Sequence, residues 1–146
     1  MEELEKLLAA FSADRVAHWW IGVKPACRDT EIVAAIASRI GFPTSKHDPE
    51  VLDRLFPLKF KQAASVLARA GTTSLAFDRD GPTARAVQRC TRALASLNQN
   101  PTFFTNGSWE DGGNLWWNPL TTATFDCGVI GWDKQNAFVF WVEEED

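Results

Sequence analysis

Leu4, Leu7, Leu8 and Phe11 recur at steps of three and four with charged residues between them, which predicts an amphipathic helix over residues 2–11. The same period returns in Ile32, Val33, Ile36 and Ile40, so a helix is expected from an Asp29 or Thr30 cap to a stop at Gly41. Between them, His18-Trp19-Trp20-Ile21 reads as the end of a second short helix or as a buried connection, with His18 a hydrogen-bonded core residue. After Phe42-Pro43 and the loop Thr44 to Pro49, Asp48 is a natural cap and Pro49 a natural first turn for a short helix over 49–55. Pro57 separates it from a longer helix at about 58–70, with Phe60, Ala63, Ala64, Leu67 and Ala70 inward and Gly71 at its end.

At Thr72 the period changes. Thr73 to Phe77, bounded by Gly71 and the turn Asp78 to Gly81, reads as a strand, and Pro82 opens the clearest helix, with Ala84, Val87, Cys90, Leu94 and Leu97 on one side to about Asn98. Residues 101–105 read as a further strand, while the Asn, Gly, Asp and Pro of 106–120 exclude regular structure throughout that segment. Residues 122–132 and 137–143 alternate as two strands of a hairpin turned at Asp133 to Asn136. If 133 pairs with 136, Trp132 faces Ala137, Ile130 faces Val139, Gly128 faces Trp141 and Asp126 faces Glu143. The opposite face, Phe125, Cys127, Val129, Gly131, Phe138, Phe140 and Val142, is wholly apolar and is expected to pack on helices. The pattern therefore predicts an α+β fold: N-terminal helices on a small, mainly antiparallel sheet that ends in a C-terminal β-hairpin, a helical part to about residue 71 and a strand-helix-strands part from 72.

Composition narrows the setting. A chain of 146 residues, 45% apolar, suits one domain spanning 1–146 with a real core, and no apolar run approaches the ~18 residues of a membrane span. The N-terminus begins with acids, not the basic and apolar blocks of a secretory signal, so a soluble cytoplasmic protein is expected. Cys27, Cys90 and Cys127 are odd in number and far apart, which fits buried free thiols.

The net charge of −4 conceals a division: residues 1–98 carry +3 and residues 99–146 carry −7, with Lys134 the one cation of the second part. Five of the seven tryptophans also fall there, at 109, 116, 117, 132 and 141. A field of one sign steers partners of the other and repels nucleic acid. Arg85, Arg89 and Arg92 make a basic stripe on the last helix, read as a solvated face, and a nucleic-acid role is disfavoured by the overall acidity. Facing carboxylates at Asp126 and Glu143 repel unless a cation intervenes, which makes them a candidate corner for an internal arginine, a partner's Lys or Arg, or a metal, in that order. An extended chain sends Trp116 and Trp117 opposite ways, so one of the pair is expected in the core.

The common motifs for nucleotide, zinc-protease, serine-hydrolase and kinase chemistry do not occur. No metal or cofactor is expected, since no second His or Cys stands at metal spacing from His18. Cys127 with His18 or His47 could form a thiol–imidazole pair, although a cysteine alternating in an apolar strand is usually inert. In size, in the acidic residues of 109–146 and in the ending Phe140-Trp141-Val142-Glu143-Glu144-Glu145-Asp146, the chain resembles small acidic bacterial immunity proteins that neutralise toxin domains. The resemblance implies a toxin domain as partner, blocked at or near its active site. The expectation is a non-catalytic protein that binds a basic protein partner, with no membrane role, through Trp109, Glu110, Asp111, Asn114, Trp116, Trp117, Asp126, Asp133, Glu143, Glu144, Glu145 and Asp146. The alternatives are a carbohydrate-like small ligand stacked on Trp109, Trp116 and Trp117, and an enzyme using Glu110, Asp111 and Asp126.

Overall fold

A computed structural model describes residues 1–44, 50–78, 80–110 and 115–146. Its elements in chain order are α1 (Glu2–Phe11), β1 (Val16–Val23), α2 (Ile32–Ser38), β2 (Phe56–Leu58), α3 (Phe60–Thr72), α4 (Ala84–Leu94), β3 (Thr102–Thr105), β4 (Gly107–Ser108), β5 (Trp116–Trp117), β6 (Phe125–Trp132) and β7 (Asn136–Glu144). Five strands form one sheet in the order β1-β7-β6-β3-β2 with antiparallel neighbours throughout, and β4 and β5 form a small separate pair. The fold is α+β, as the periodicities predict.

The hairpin register is the one expected: Trp132 lies opposite Ala137, Ile130 opposite Val139, Gly128 opposite Trp141 and Asp126 opposite Glu143. Cys127, Val129, Phe138, Phe140 and Val142 are buried beneath Leu4, Leu8 and Phe11 of α1, Ala63, Ala64 and Leu67 of α3, and Cys90 and Leu94 of α4, with Phe125 packed at the margin. The other face departs from expectation. Ile130, Ala137, Val139 and Trp141 make a second core with Ile32 and Ile36 of α2, Phe42, Val51 and Leu120, so the sheet is covered on both sides.

Several elements differ from the pattern. Residues 16–23 form a strand because successive side chains find apolar layers on opposite faces: Ala17, Trp19 and Ile21 lie against the first core and Trp20 against the second. With β2, this puts two strands in the first 71 residues, which are therefore not wholly helical. Thr73 to Phe77 is no strand, since residues 75–77 turn after α3, and the Ser74 hydroxyl and Ala76 N–H both donate to Glu144. The helix expected from 29 to 40 is a one-turn 3₁₀ helix at Asp29–Glu31 followed by α2. A further 3₁₀ turn at Val51–Arg54 replaces the short helix, whose predicted cap Asp48 and first-turn Pro49 lie outside the described residues. Helix α3 runs through Gly71 to Thr72, and α4 is capped by Thr83, whose hydroxyl accepts from the Ala86 N–H at 3.1 Å.

Asp133, expected on the partner surface, is 4% exposed, because its carboxylate closes the hairpin. It accepts the N–H groups of Gln135 and Asn136, both at 2.7 Å, and of Asn98 at 2.8 Å. Burial pushes its pKa up, but these backbone N–H groups outweigh that and hold it below the usual carboxylate range. A depressed native pKa stabilises the fold above about pH 4, and that stabilisation is lost as pH falls through the native value. Asp133→Asn should therefore cost about 1–2 kcal/mol in urea denaturation at pH 7, a gap that narrows steadily in titrations below about pH 4. A difference independent of pH would contradict the assignment.

Cys90 and Cys127 are buried as expected, whereas Cys27 is exposed. Burial raises the Cys90 thiol to about 12, against an opposing pull from Arg89, and raises Cys127 well above the ordinary range. A protonated, fully enclosed Cys127 does not suit a thiol–imidazole nucleophile. Among the described residues no helix is long and apolar enough to cross a membrane.

Candidate functional site

Helix α3 presents Lys61, Gln62, Ser65, Val66 and Arg69 on one side, at the three- and four-residue steps that align a helical face. Its opposite side, Ala63, Ala64, Leu67 and Ala70, is in the core. The polar side forms the floor of a cleft of about 460 Å³, whose walls are β2, the β4–β5 pair, Trp109, Glu110, Pro82 ahead of α4 and Val87 within it.

The walls owe their positions to close packing. A Cβ on Gly107 would fall 2.1 Å from the Trp116 carbonyl oxygen, so glycine is what lets β4 and β5 approach each other. Trp116 then stands edge-on to Phe56, with ring centroids 4.8 Å apart and planes at 88°, and keeps 48% of its surface exposed. Trp117 points the other way and stacks on Trp109 at 5.3 Å, then leans on Phe125 at 5.2 Å. The pair thus points opposite ways, with Trp117 partly buried against the core and Trp116 open.

Arg69, 3% exposed, donates from Nε to the Trp109 carbonyl at 3.1 Å and fixes the wall to the floor. Gln62 Nε2 lies 3.4 Å from Glu110 Oε1 on the rim. Trp109 is 5% exposed, and among the described residues its buried indole N–H has no acceptor. An unsatisfied buried donor costs about 1–3 kcal/mol, and this one is enclosed, out of reach of the cleft.

The remaining expected residues do not join this cleft. Asp126 is fully buried and faces no partner: it accepts Asn106 Nδ2 at 2.9 Å, the Leu120 N–H at 3.1 Å, the Thr121 N–H at 3.2 Å, the Thr121 hydroxyl at 3.0 Å and the Trp141 indole N–H at 3.0 Å. Desolvation raises its pKa, opposed by the bonds from Trp141, Leu120 and Thr121. Those five neutral donors replace the cation expected between Asp126 and Glu143. Glu143 instead meets His18 Nε2 at 2.6 Å, and the His18 ring packs edge-on against Phe42 at 5.2 Å.

Glu144 is engaged by Ser74 and Ala76 as described above, and Glu145 accepts the Thr124 hydroxyl. Glu110, Glu145 and Asp146 are exposed, while Asp111 and Asn114 lie outside the described residues. Arg85, Arg89 and Arg92 are exposed, with the Arg89 guanidinium 5.7 Å from the Phe11 ring centroid.

Sequence reasoning reaches Trp109, Glu110 and Trp116 but misses Phe56, Lys61, Gln62 and Arg69. The signal present was the run of polar side chains at helical spacing along α3, opposite its alanine face. Among the described residues there is no group of three or more His, Cys, Asp or Glu placed to hold a metal ion. No model of a known family, no curated protein and no solved structure matches the chain.

Proposed function

We propose that the chain is a non-catalytic binding protein whose cleft, beneath Trp116, takes a carbohydrate-like ligand. The observation that carries this reading is the half-exposed Trp116 indole standing over a cleft whose floor and rim carry exposed polar side chains. A sugar ring presents a patch of C–H groups that stacks on an aromatic face and hydroxyl groups that bond to polar side chains around it. Gln62, Glu110, Lys61 and Ser65 add planar and polar partners for other hydroxyls. Trp117 is occupied by Trp109 and Phe125, so one tryptophan face, not three, serves as the platform.

Titration of the protein with mono- and disaccharides should change tryptophan fluorescence, and Trp116→Ala should weaken binding about tenfold or more. If no sugar alters the emission, or if the response survives Trp116→Ala unchanged, the cleft is not a carbohydrate site.

A second reading retains the basic protein partner, of which a toxin domain is the example. It is favoured by a groove of about 430 Å³ bordered by Asp14, Glu143, Glu144 and Glu145, with Arg15 as its cation. Arg15 is itself committed to the carbonyls of Ala70 and Thr73, both at 2.9 Å, and the three glutamates accept from His18 and from neutral donors. This reading stands second because Asp126, Asp133 and Trp109, which it counted as surface, are buried. A complex with a basic partner whose affinity did not fall as salt rose would count against it.

A further inference from the structure

The two edges of the sheet are built differently. At one edge β2 is three residues long with Pro57 at its centre, and short length and proline are both devices that prevent strand addition. At the other edge β1, Val16-Ala17-His18-Trp19-Trp20-Ile21-Gly22-Val23, has eight residues paired with β7 in unbroken register, with no proline, lysine or bulge. None of its residues is buried, and Val16 and Val23 at its ends are 60% and 76% exposed.

The ladder settles which backbone groups point outward. Lys24 donates its N–H to the Gln135 carbonyl, so by the alternation of an antiparallel pair the even-numbered residues of β1 turn their N–H and C=O groups to β7. The bond from Asp133 N–H to the Asn136 carbonyl gives the same phase on β7, whose even-numbered residues face β6 and whose odd-numbered residues face β1. Ala17, Trp19, Ile21 and Val23 therefore aim their backbone groups away from the sheet, and among the described residues no strand lies beyond them.

We propose that β1 pairs antiparallel with β1 of a second copy of this chain across a two-fold axis centred on Trp20, joining two five-stranded sheets into one. Hydrogen-bonded pairs across that edge join odd-numbered residues to odd-numbered residues. Centring on Trp20 sets Ala17 opposite Val23 and Trp19 opposite Ile21, twice each, which satisfies all four outward residues with about eight hydrogen bonds. Centring on Trp19 or Ile21 leaves one end of the strand unpaired.

The occupant is a second copy because the register that uses every outward group is self-complementary, and because the strand has no side chain of fixed charge to repel its own copy. In that register the two Trp20 side chains meet in the closer, non-hydrogen-bonded kind of pair. Each is flanked by a Gly22, over which its own ring already lies: a Cβ there would fall 2.6 Å from the indole.

Sedimentation of the intact protein over a concentration series should give twice the monomer mass, and amide exchange should show Ala17, Trp19, Ile21 and Val23 protected together with Gly22 and Trp20. A monomer at every concentration, or a dimer in which those four amides exchange freely, overturns the proposal. Ile21→Pro removes an outward N–H without touching the β7 ladder and should shift the protein to monomer. Should that variant fail to fold, Trp20→Cys in a Cys27→Ser background reads the register directly. Mild oxidation should link the introduced thiol to its symmetry mate, because Cα atoms in such a pair lie about 4.5 Å apart. Efficient linking through Trp19→Cys instead would place the axis elsewhere and overturn the register proposed.

Discussion

Asp126→Ala should be among the most damaging single changes available in this chain. The substitution strips the acceptor from the N–H groups of Leu120 and Thr121 and from the Trp141 indole, all of them buried. Asn106 retains the Asn118 and Asp126 carbonyls and the Thr121 hydroxyl can rotate, so three donors are left without recourse. At about 1–3 kcal/mol each and allowing for relaxation, the loss should be about 4 kcal/mol, a large share of a small domain's stability. Asp126→Asn should fall between the two, since an amide accepts at one atom and opposes the donors at the other.

The pH dependence supplies an independent check. The native fold binds this proton more tightly than the unfolded chain, so Asp126 alone makes stability decline as pH rises through and above the ordinary carboxylate range. Asp133 acts in the opposite direction, and Asp126→Asn should leave its rising limb alone. Urea titrations followed by tryptophan emission would measure both effects, and an Asp126→Ala protein within about 1 kcal/mol of the parent would refute the network's importance.

Gly128→Val should be comparably severe, by a different route. A Cβ at this position would lie 2.1 Å from the Phe140 carbonyl oxygen and 2.5 Å from the Trp141 ring, and the first of these belongs to the backbone of the central strand pair and cannot swing away. A loss of about 3 kcal/mol or more is expected, with displacement of the Trp141 indole from Asp126. The indole N–H proton of Trp141 reports on this directly in an NMR spectrum. An unshifted signal alongside unchanged stability would mean that the strand accommodates the side chain.

Gly128 and Trp141 also show what is legible in the chain. Two-residue alternation on either side of Asp133 to Asn136 determines the register, and with it the indole lying over the glycine. What alternation does not reveal is whether the second face meets water. Asp126 reads as a surface acid because its neutralising donors come from Asn106 and from the backbone of 120–121, and backbone donors leave no trace in residue type.

Residues 16–23 mislead for a related reason. A strand with apolar layers on both faces loses the polar alternation that marks one, and adjacent tryptophans then resemble a helix end. The cleft is half visible: Trp116 stands out in any reading, but Phe56 and Arg69 reach it only through the fold.

The pairing of β1 with β7 joins residues 16–23 to residues 136–143, the longest span that any strand pair in the sheet bridges. Closing such a loop costs roughly 4 kcal/mol of chain entropy before any pairing repays it, so this ladder should form late and slow the folding of the whole chain. On the ribosome the consequence is sharper. Val16 to Val23, rich in tryptophan and with Arg15 and Lys24 as its flanking charges, emerges well before its partner and waits until residues 136–143 have been made. Throughout synthesis it is an unpaired, sticky strand, and yield in the cell should depend on how well that interval is guarded.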